Sequence, residues 1–174
     1  KMSTRKADFI TLDDLVNELS VDVIRYFFIM RSMNTHLDFD LNLAKDQSDK
    51  NPVFYLQYAY ARICNIIRYG ENQGFKFSEK FDTTLLNESS EIKLLKLMSN
   101  FPTVMETALE TLEPQTIAIY LQDLASSFHK FYGNCKVITD DEKLSQSRLG
   151  LINGAKIIIS IGLSILGVSA PEKM

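Results

Sequence analysis

The stretch NPVFYLQYAYARICNIIRY, from Asn51 to Tyr69, predicts one helix with two different faces. Asn51 suits the N-cap position, and Pro52 fits the first helical position, where no backbone donor is lost. One set of side chains recurs at alternating steps of three and four, which places it on a stripe that faces a core. That set is Val53, Leu56, Tyr60, Ile63 and Ile67. We therefore expect the fold to be organised around this helix.

A second set of side chains follows the same steps, displaced by two residues, and lies nearly opposite the first. We call it the aromatic-polar face: Tyr55, Tyr58, Arg62, Asn65 and Tyr69. A solvated helix surface usually carries Glu and Lys, whereas rings beside a guanidinium and an amide can stack on bases and hydrogen-bond their edges. The alternative interpretation is that the tyrosines pack against neighbouring helices with their hydroxyl groups at the surface.

Length and composition indicate an ordinary globular protein with one well-cored domain and a small appendage. The chain has 174 residues, of which 45% are hydrophobic and 24% charged. A net charge of −3 excludes a generally basic nucleic-acid binder, so such a partner would need a local patch and stacking. The two cysteines and two histidines have no metal-like spacing, which predicts reduced thiols in a cytosolic protein and no metal site.

From Asn51 onward the pattern is helical throughout, which predicts a bundle. One long helix is expected over Gln115–Tyr132, ended by Gly133, with its core stripe at Ile117, Leu121, Leu124, Phe128 and Phe131. The last helix, Asp141–Leu166, is expected to be capped by Asp140. The apolar run from Leu149 to Ala170 approaches membrane-spanning length, but polar side chains interrupt it. A buried core helix is therefore favoured over a membrane span.

Two short helices and an extended linker are predicted before the bundle. Thr11 caps the first helix, and Ser20 caps the second, over Val21–Arg31, in which Asp22 and Arg25 are spaced to pair with each other. The alternation of apolar and polar side chains within Asn34–Leu43 favours a short extended segment. The predicted fold class is all-α, with a connector over residues 1–50 and a helical bundle over residues 51–174.

No grouping of residues with the spacing of a catalytic site is found. There is no phosphate-binding glycine loop and no Ser/His/Asp or Cys/His arrangement. Glu106 and Glu110 share a helix face, but like charges four residues apart are typical of a solvated surface. His129 follows the core stripe by one residue and is expected to be partly exposed. Independent catalysis by this chain is therefore not expected.

Strings in order along the chain carry a resemblance to a known family. KMSTR, from Lys1, resembles the second signature loop of class I aminoacyl-tRNA synthetases. The later strings resemble arginyl-tRNA synthetases and cover essentially the whole chain. They are TLDDL from Thr11, VDVIRYFF from Val21, LDFDLNLAK from Leu37, NPVFYLQYAYARI from Asn51, FYGNCKV from Phe131, RLGLINGA from Arg148 and GVSAPEKM from Gly167.

The resemblance implies the C-terminal part of such a synthetase, with residues 51–174 as its all-helical, DALR-type anticodon-binding domain. In that family the whole enzyme joins arginine to its tRNA with ATP and magnesium, in a catalytic domain that this chain lacks. Lys1, Met2 and Ser3 would belong to the loop that stabilises the ATP phosphates, although Thr4 replaces the usual second lysine. The chain alone is therefore expected to bind tRNA without charging it.

The resemblance also implies tRNA anticodon contacts at Tyr58, Arg62, Phe128, Tyr132 and Met174. The expected partners are arginine tRNA and the catalytic domain, without DNA or membrane, in a cytoplasmic monomer that holds no cofactor of its own. The alternative function is a helical protein-interaction domain whose exposed tyrosines dock a partner helix. A membrane-anchored bundle is a third interpretation.

Overall fold

The computed structural model describes residues 11–32, 34–75 and 81–174, and the regular structure within these ranges is helical, as predicted. The α-helices of the described ranges are α1 (Leu12–Glu18), α2 (Val21–Ile29), α3 (Leu41–Lys45), α4 (Pro52–Asn72), α5 (Ser89–Ser99), α6 (Phe101–Thr111), α7 (Gln115–Asn134) and α8 (Glu142–Ile165). A 3₁₀ turn, Thr83–Leu85, precedes α5. The predicted all-α fold is confirmed.

The core is formed by α4, α7 and α8, each of which packs against the other two, while α5 and α6 cover α7. The predicted apolar stripe of α4 is buried, except that Ile67 is partly buried and packs against the core. The predicted stripe of α7 is also buried. Periodic apolar side chains thus define the core-facing sides of both helices.

Helix α8 is long and apolar enough to cross a membrane by length and composition alone. Half of its most apolar window is buried inside the bundle, where α8 contacts α4, α5 and α7. Gly162 permits one of these contacts, because a Cβ atom there would lie 2.7 Å from the Leu121 side chain of α7. The predicted role of α8 as a core helix is therefore confirmed.

Helix α2 packs on the bundle rather than standing apart from it. Tyr26 is only 1% exposed, and its hydroxyl group donates to the Ala118 carbonyl oxygen at 3.1 Å and accepts from the Gln122 amide at 3.0 Å. These bonds join α2 to α7. The domain boundary after residue 50 stays a prediction, but the core of the bundle includes side chains that precede it.

Several local predictions are wrong in detail. The alternating segment before α4 is extended only in part, because the Asp40 carboxylate accepts from the Asn42 and Leu43 amides and starts α3. Gly133 does not end α7, which continues for one more residue. Asp141 caps α8 in place of Asp140. Helix α3 is thus an unpredicted element that a side-chain cap creates, whereas α7 and α8 are present as predicted with boundaries shifted by one or two residues.

Candidate nucleic-acid interface

The aromatic-polar face of α4 is exposed only in part: Tyr58, Asn65 and Tyr69 are exposed, whereas Tyr55 and Arg62 are partly buried and Tyr55 packs against the core. Asn51 starts the helix as predicted, since its side-chain oxygen accepts from the Val53 and Phe54 amides. The exposed fractions of Tyr58 and Tyr69 are 41% and 56%. The Tyr58 ring lies parallel to that of Phe54, with the ring planes 6° apart and the ring centres 6.5 Å apart. Planar surface is thus available where the sequence predicts it.

Arg62 and Tyr132 join α4 to α7 beside these rings. The Arg62 Nη2 atom donates to the Tyr132 hydroxyl oxygen at 3.1 Å, and its Cζ atom lies 4.8 Å from the centre of the Tyr132 ring. The quadrupole of an aromatic ring attracts a guanidinium group that lies over its face and so holds that group in place. The structure therefore brings together two of the predicted site residues, which lie 70 positions apart in the chain.

A groove of about 680 Å³ opens next to the Arg62–Tyr132 pair. We call it the α4–α7 groove. One wall comes from α4 and the other from Tyr132 and the loop that follows α7. It is lined by Arg62, Asn65, Ile66, Tyr69, Tyr132, Gly133, Asn134, Cys135, Lys136, Val137 and Ile138. A groove of this volume, with rings, amides and apolar side chains in its walls, can hold a planar ligand.

The charge of the groove is opposite to that of the whole chain. Arg62 and Lys136 contribute positive charge, and no described residue of the lining is acidic. The loop wall is anchored from beneath, because Arg148 donates through Nη1 to the Lys136 carbonyl oxygen at 2.8 Å. Arg148 also donates through Nε to Glu91 at 2.6 Å in a buried ion pair. A fixed, locally basic groove suits an anionic, planar ligand.

His129 lies beneath Tyr55 and Tyr58, with its ring centre 4.8 Å and 5.9 Å from theirs. Its side chain is partly buried, and its Nε2 atom is fully buried and makes no hydrogen bond. Burial, followed by the positive charge of Arg62, lowers the pKa of His129 below its ordinary value of 6.5. The imidazole is therefore neutral at pH 7, and it supports the two tyrosine rings as an uncharged platform.

The other predicted site residues are placed differently. Phe128 has no exposed surface and packs with its ring centre 6.1 Å from that of Tyr132. Direct contact of Phe128 with a base is therefore not possible in this conformation, because its core position on α7 buries the ring. Met174 is 55% exposed, at the end of a segment tied to α4 by the Glu172–Arg68 ion pair. Lys1, Met2 and Ser3 lie outside the described residues.

Sequence reasoning did not select the loop wall of the groove. Asn134 and Lys136 come from the segment FYGNCKV, which was noted for its resemblance but not assigned a role. The signal in the sequence was Lys136, a positively charged residue just after the end of α7. Tertiary contacts of this loop, among them the bond from Arg148 to the Lys136 carbonyl oxygen, place Lys136 opposite α4, and a periodic pattern does not predict such contacts.

Known proteins are similar to this chain along its whole length. The family model of the DALR anticodon binding domain matches residues 56–174. The arginine–tRNA ligase of Salinibacter ruber is 46% identical over 174 residues, covering 100% of this chain and 31% of that ligase. The ligase of Desulforamulus reducens is 47% identical over 176 residues, again covering 100% of this chain and 31% of its own length.

Solved structures give the same result. The arginyl-tRNA synthetase of Thermus thermophilus superimposes with a TM-score of 0.77 at 26% identity, covering 98% of this chain and 29% of that one. The chain therefore spans less than a third of the length of the relatives it matches.

Proposed function

Because the chain belongs to the DALR anticodon-binding domain family, we propose that it holds the anticodon loop of arginine tRNA as part of an arginine–tRNA ligase. The observation that carries the proposal is the α4–α7 groove, which has the Arg62–Tyr132 pair in its wall and the exposed Tyr58 ring one helical turn before Arg62. Recognition of single-stranded RNA uses bases that are splayed out, stacked on rings and hydrogen-bonded at their edges. These groups supply both kinds of contact.

We assign the predicted tRNA contacts according to their exposure. Tyr58 stacks on a base, while Arg62 and Tyr132 line the α4–α7 groove that receives a second base. Met174 is accessible and packs its thioether against the loop. Phe128, which is buried, supports the rings from below. The basic groove compensates for the negative charge of the chain as a whole.

The rest of the ligase lies outside these 174 residues in our proposal. The catalytic part would bind arginine, ATP and magnesium, and the loop at Lys1, Met2 and Ser3 would act only together with it. Exposed apolar side chains on α1 and α2 offer it a contact surface. They are Leu12, Val16, Val21 and Phe28, each between 46% and 60% exposed. We propose no DNA partner and no membrane anchor, and we propose a monomeric, cytoplasmic protein.

The test is a titration of arginine tRNA, beside the same tRNA with a changed anticodon, into the wild-type chain and the variants Tyr58→Ala and Arg62→Ala. Loss of one base-stacking ring costs about 1–3 kcal/mol, so Tyr58→Ala should weaken binding of the native tRNA roughly 5- to 150-fold. Both variants should erase the preference for the native anticodon. Arg31→Ala and Leu109→Ala, which change exposed side chains elsewhere, are the controls and should behave as wild type.

Salt dependence separates tRNA binding from the protein-interaction alternative. Binding to phosphates releases counterions and weakens steeply as salt is added, whereas docking of an apolar helix does not. Equal binding of both tRNAs by the wild-type chain, or no binding, would contradict the proposed function.

A further inference from the structure

The last residues of the chain, Gly167–Met174, follow α8 without regular helix, and we call them the tail. The tail begins at a hydrogen-bonded junction with α2 and α4. The Asp22 carboxylate accepts from the Ser169 hydroxyl and from the Gln57 amide, the latter at 2.9 Å. The Gln57 amide also donates to the Ser169 carbonyl oxygen at 3.0 Å. Three segments of the chain therefore meet at one carboxylate.

A second bond from α2 holds the start of the tail. Arg25, one helical turn after Asp22, donates through Nη1 to the Gly167 carbonyl oxygen. Gly167 has a φ of +66°, in the left-handed region, and a Cβ atom there would collide with the Arg25 guanidinium. The predicted local pairing of Asp22 with Arg25 is thus replaced by contacts of both side chains with the tail.

The tail is also held near its far end. Glu172 pairs with the Arg68 Nη2 atom at 3.6 Å, and the Arg68 Nη1 atom donates to Asn65 of the aromatic-polar face at 3.0 Å. Gln57 and Arg68 each neighbour this face on α4, so the tail runs along its border. The exposed Met174 side chain lies two residues beyond the Glu172 contact.

We propose that Asp22 and Arg25 are positioning residues that hold the tail in the conformation in which Met174 meets the anticodon loop. A segment without regular structure loses conformational entropy when it becomes ordered. If the segment is already ordered in the free protein, this cost does not reduce the affinity for the partner. The inference rests on the proposed function and extends it to α2, which precedes the residues matched by the family model. In this proposal α2 acts on tRNA binding without touching the tRNA.

The sign of the charge effect makes the proposal testable. Asp22 is negative and would repel an RNA backbone, so its removal should by itself strengthen tRNA binding. If Asp22 positions the tail, Asp22→Ala should instead weaken binding of native arginine tRNA about three- to tenfold, because the tail must then be ordered during binding. Asp38→Ala removes an equal charge from a side chain that is 99% exposed, and it is the matched control for charge.

The experiment measures the order of the tail as well as the affinity for tRNA. Hydrogen exchange of the Gly167 and Val168 amides, which donate to the Ser164 and Leu163 carbonyl oxygens at 3.0 Å and 2.9 Å, should be about tenfold faster in Asp22→Ala than in wild type without tRNA, and unchanged in Asp38→Ala. A double-mutant cycle with tRNA titration gives the second readout. Met174→Ala should weaken binding in the wild-type background and have little further effect in the Asp22→Ala background.

Ser169→Ala provides a milder variant, because it removes one hydroxyl donor and leaves α2 intact. It should shift tail exchange and tRNA affinity in the same direction as Asp22→Ala. Unchanged tail exchange in both variants, or additive effects of Asp22→Ala and Met174→Ala, would overturn the proposal while the wild-type preference for the native anticodon stands. Loss of that preference in the wild type would instead overturn the proposed function, and the positioning role with it.

Discussion

At the scale of single residues, the buried ion pair between Glu91 and Arg148 stabilises the contact between several segments of the chain. The exposed fractions of Arg148 and Glu91 are 10% and 1%, and the Glu91 carboxylate also accepts from the Glu88 amide at the start of α5. The pair connects α5, α8 and the loop wall of the α4–α7 groove. A buried charge that loses its partner is not solvated by water, and the unpaired charge therefore destabilises the folded state.

We therefore expect Glu91→Gln to lower the free energy of unfolding by about 3 kcal/mol, the lower end of the range for breaking a buried pair. Urea denaturation followed by circular dichroism measures this change. Glu18→Gln is the control, since the Glu18–Lys45 pair is 2.6 Å long but about half exposed. The control should stay within about 1 kcal/mol of wild type. Equal losses in both variants would show that burial of the pair does not matter.

His129 gives a prediction on pH dependence. Its pKa in the folded chain is lowered, first by burial and then by Arg62. As the pH falls through 6.5, the ordinary value, the unfolded chain takes up the proton before the folded chain does. Stability should therefore be full above that pH, fall as the pH falls, and stop falling once the pH is below the lowered pKa.

Urea denaturation at a series of pH values between about 7 and 5 checks this prediction. His129→Phe should remove most of the decline in the free energy of unfolding over that range. His36→Phe changes a histidine whose side chain is 90% exposed, and it should keep the wild-type profile. A profile of His129→Phe that matches the wild type would show that His129 does not cause the decline.

At the scale of helices, two glycines of α8 lie at positions that differ in the space around them. A Cβ atom at Gly162 would lie 2.7 Å from Leu121, whereas one at Gly154 would lie 3.5 Å from the end of Met98. Gly162→Ala should cost about 1–3 kcal/mol of stability through overpacking against α7. Gly154→Ala should gain up to about 1 kcal/mol from helix propensity. Thermal unfolding of the two variants compares them, and destabilisation by both would contradict the assigned packing of α8.

The helices were predictable from sequence where periodicity and capping agree. Asn51 and the apolar stripe of α4 gave both the start and the inner face of that helix. Asp40 shows the limit, since its carboxylate starts a five-residue helix within a run whose alternation predicts an extended segment. Asp22 and Arg25 show another limit, because i,i+3 spacing predicts a local pair and the tail supplies different partners.

The candidate site was predictable to a similar extent. The aromatic-polar face could be predicted because the spacing of residues within a single helix, α4, determines which side chains share a face. The α4–α7 groove depends instead on which helix packs beside α4 and on how Arg148 holds the loop after α7. Such contacts join residues far apart in sequence, and periodicity carries no information about them. The burial of the His129 Nε2 atom likewise depends on contacts between helices and could not be predicted from periodicity.

At the scale of the whole molecule, the question is whether α2 unfolds with the bundle or before it. Tyr26 is 1% exposed and bonded to α7, and Gln122 of α7 also donates to the Pro52 carbonyl oxygen of α4 at 2.7 Å. The polar contacts of α2 thus reach α7 through Tyr26 and α4 through Asp22, which accepts from the Gln57 amide. Helix α1, by contrast, has no buried residue. We expect α2 to belong to the cooperative unit and α1 to contribute little to it.

Tyr26→Ala should consequently lower the free energy of unfolding of the entire chain by about 3–5 kcal/mol, the range for removal of a large buried ring. Urea denaturation followed by circular dichroism and by tyrosine fluorescence should give one coincident transition, shifted to lower urea. Val16→Ala, which changes a side chain of α1 that is 46% exposed, should stay within about 0.5 kcal/mol of wild type. If α2 formed a separate unit, Tyr26→Ala would leave the main transition at the wild-type midpoint and add a small early one. That result would support a boundary near residue 50 and would also weaken the case for α2 as a fixed support of the tail.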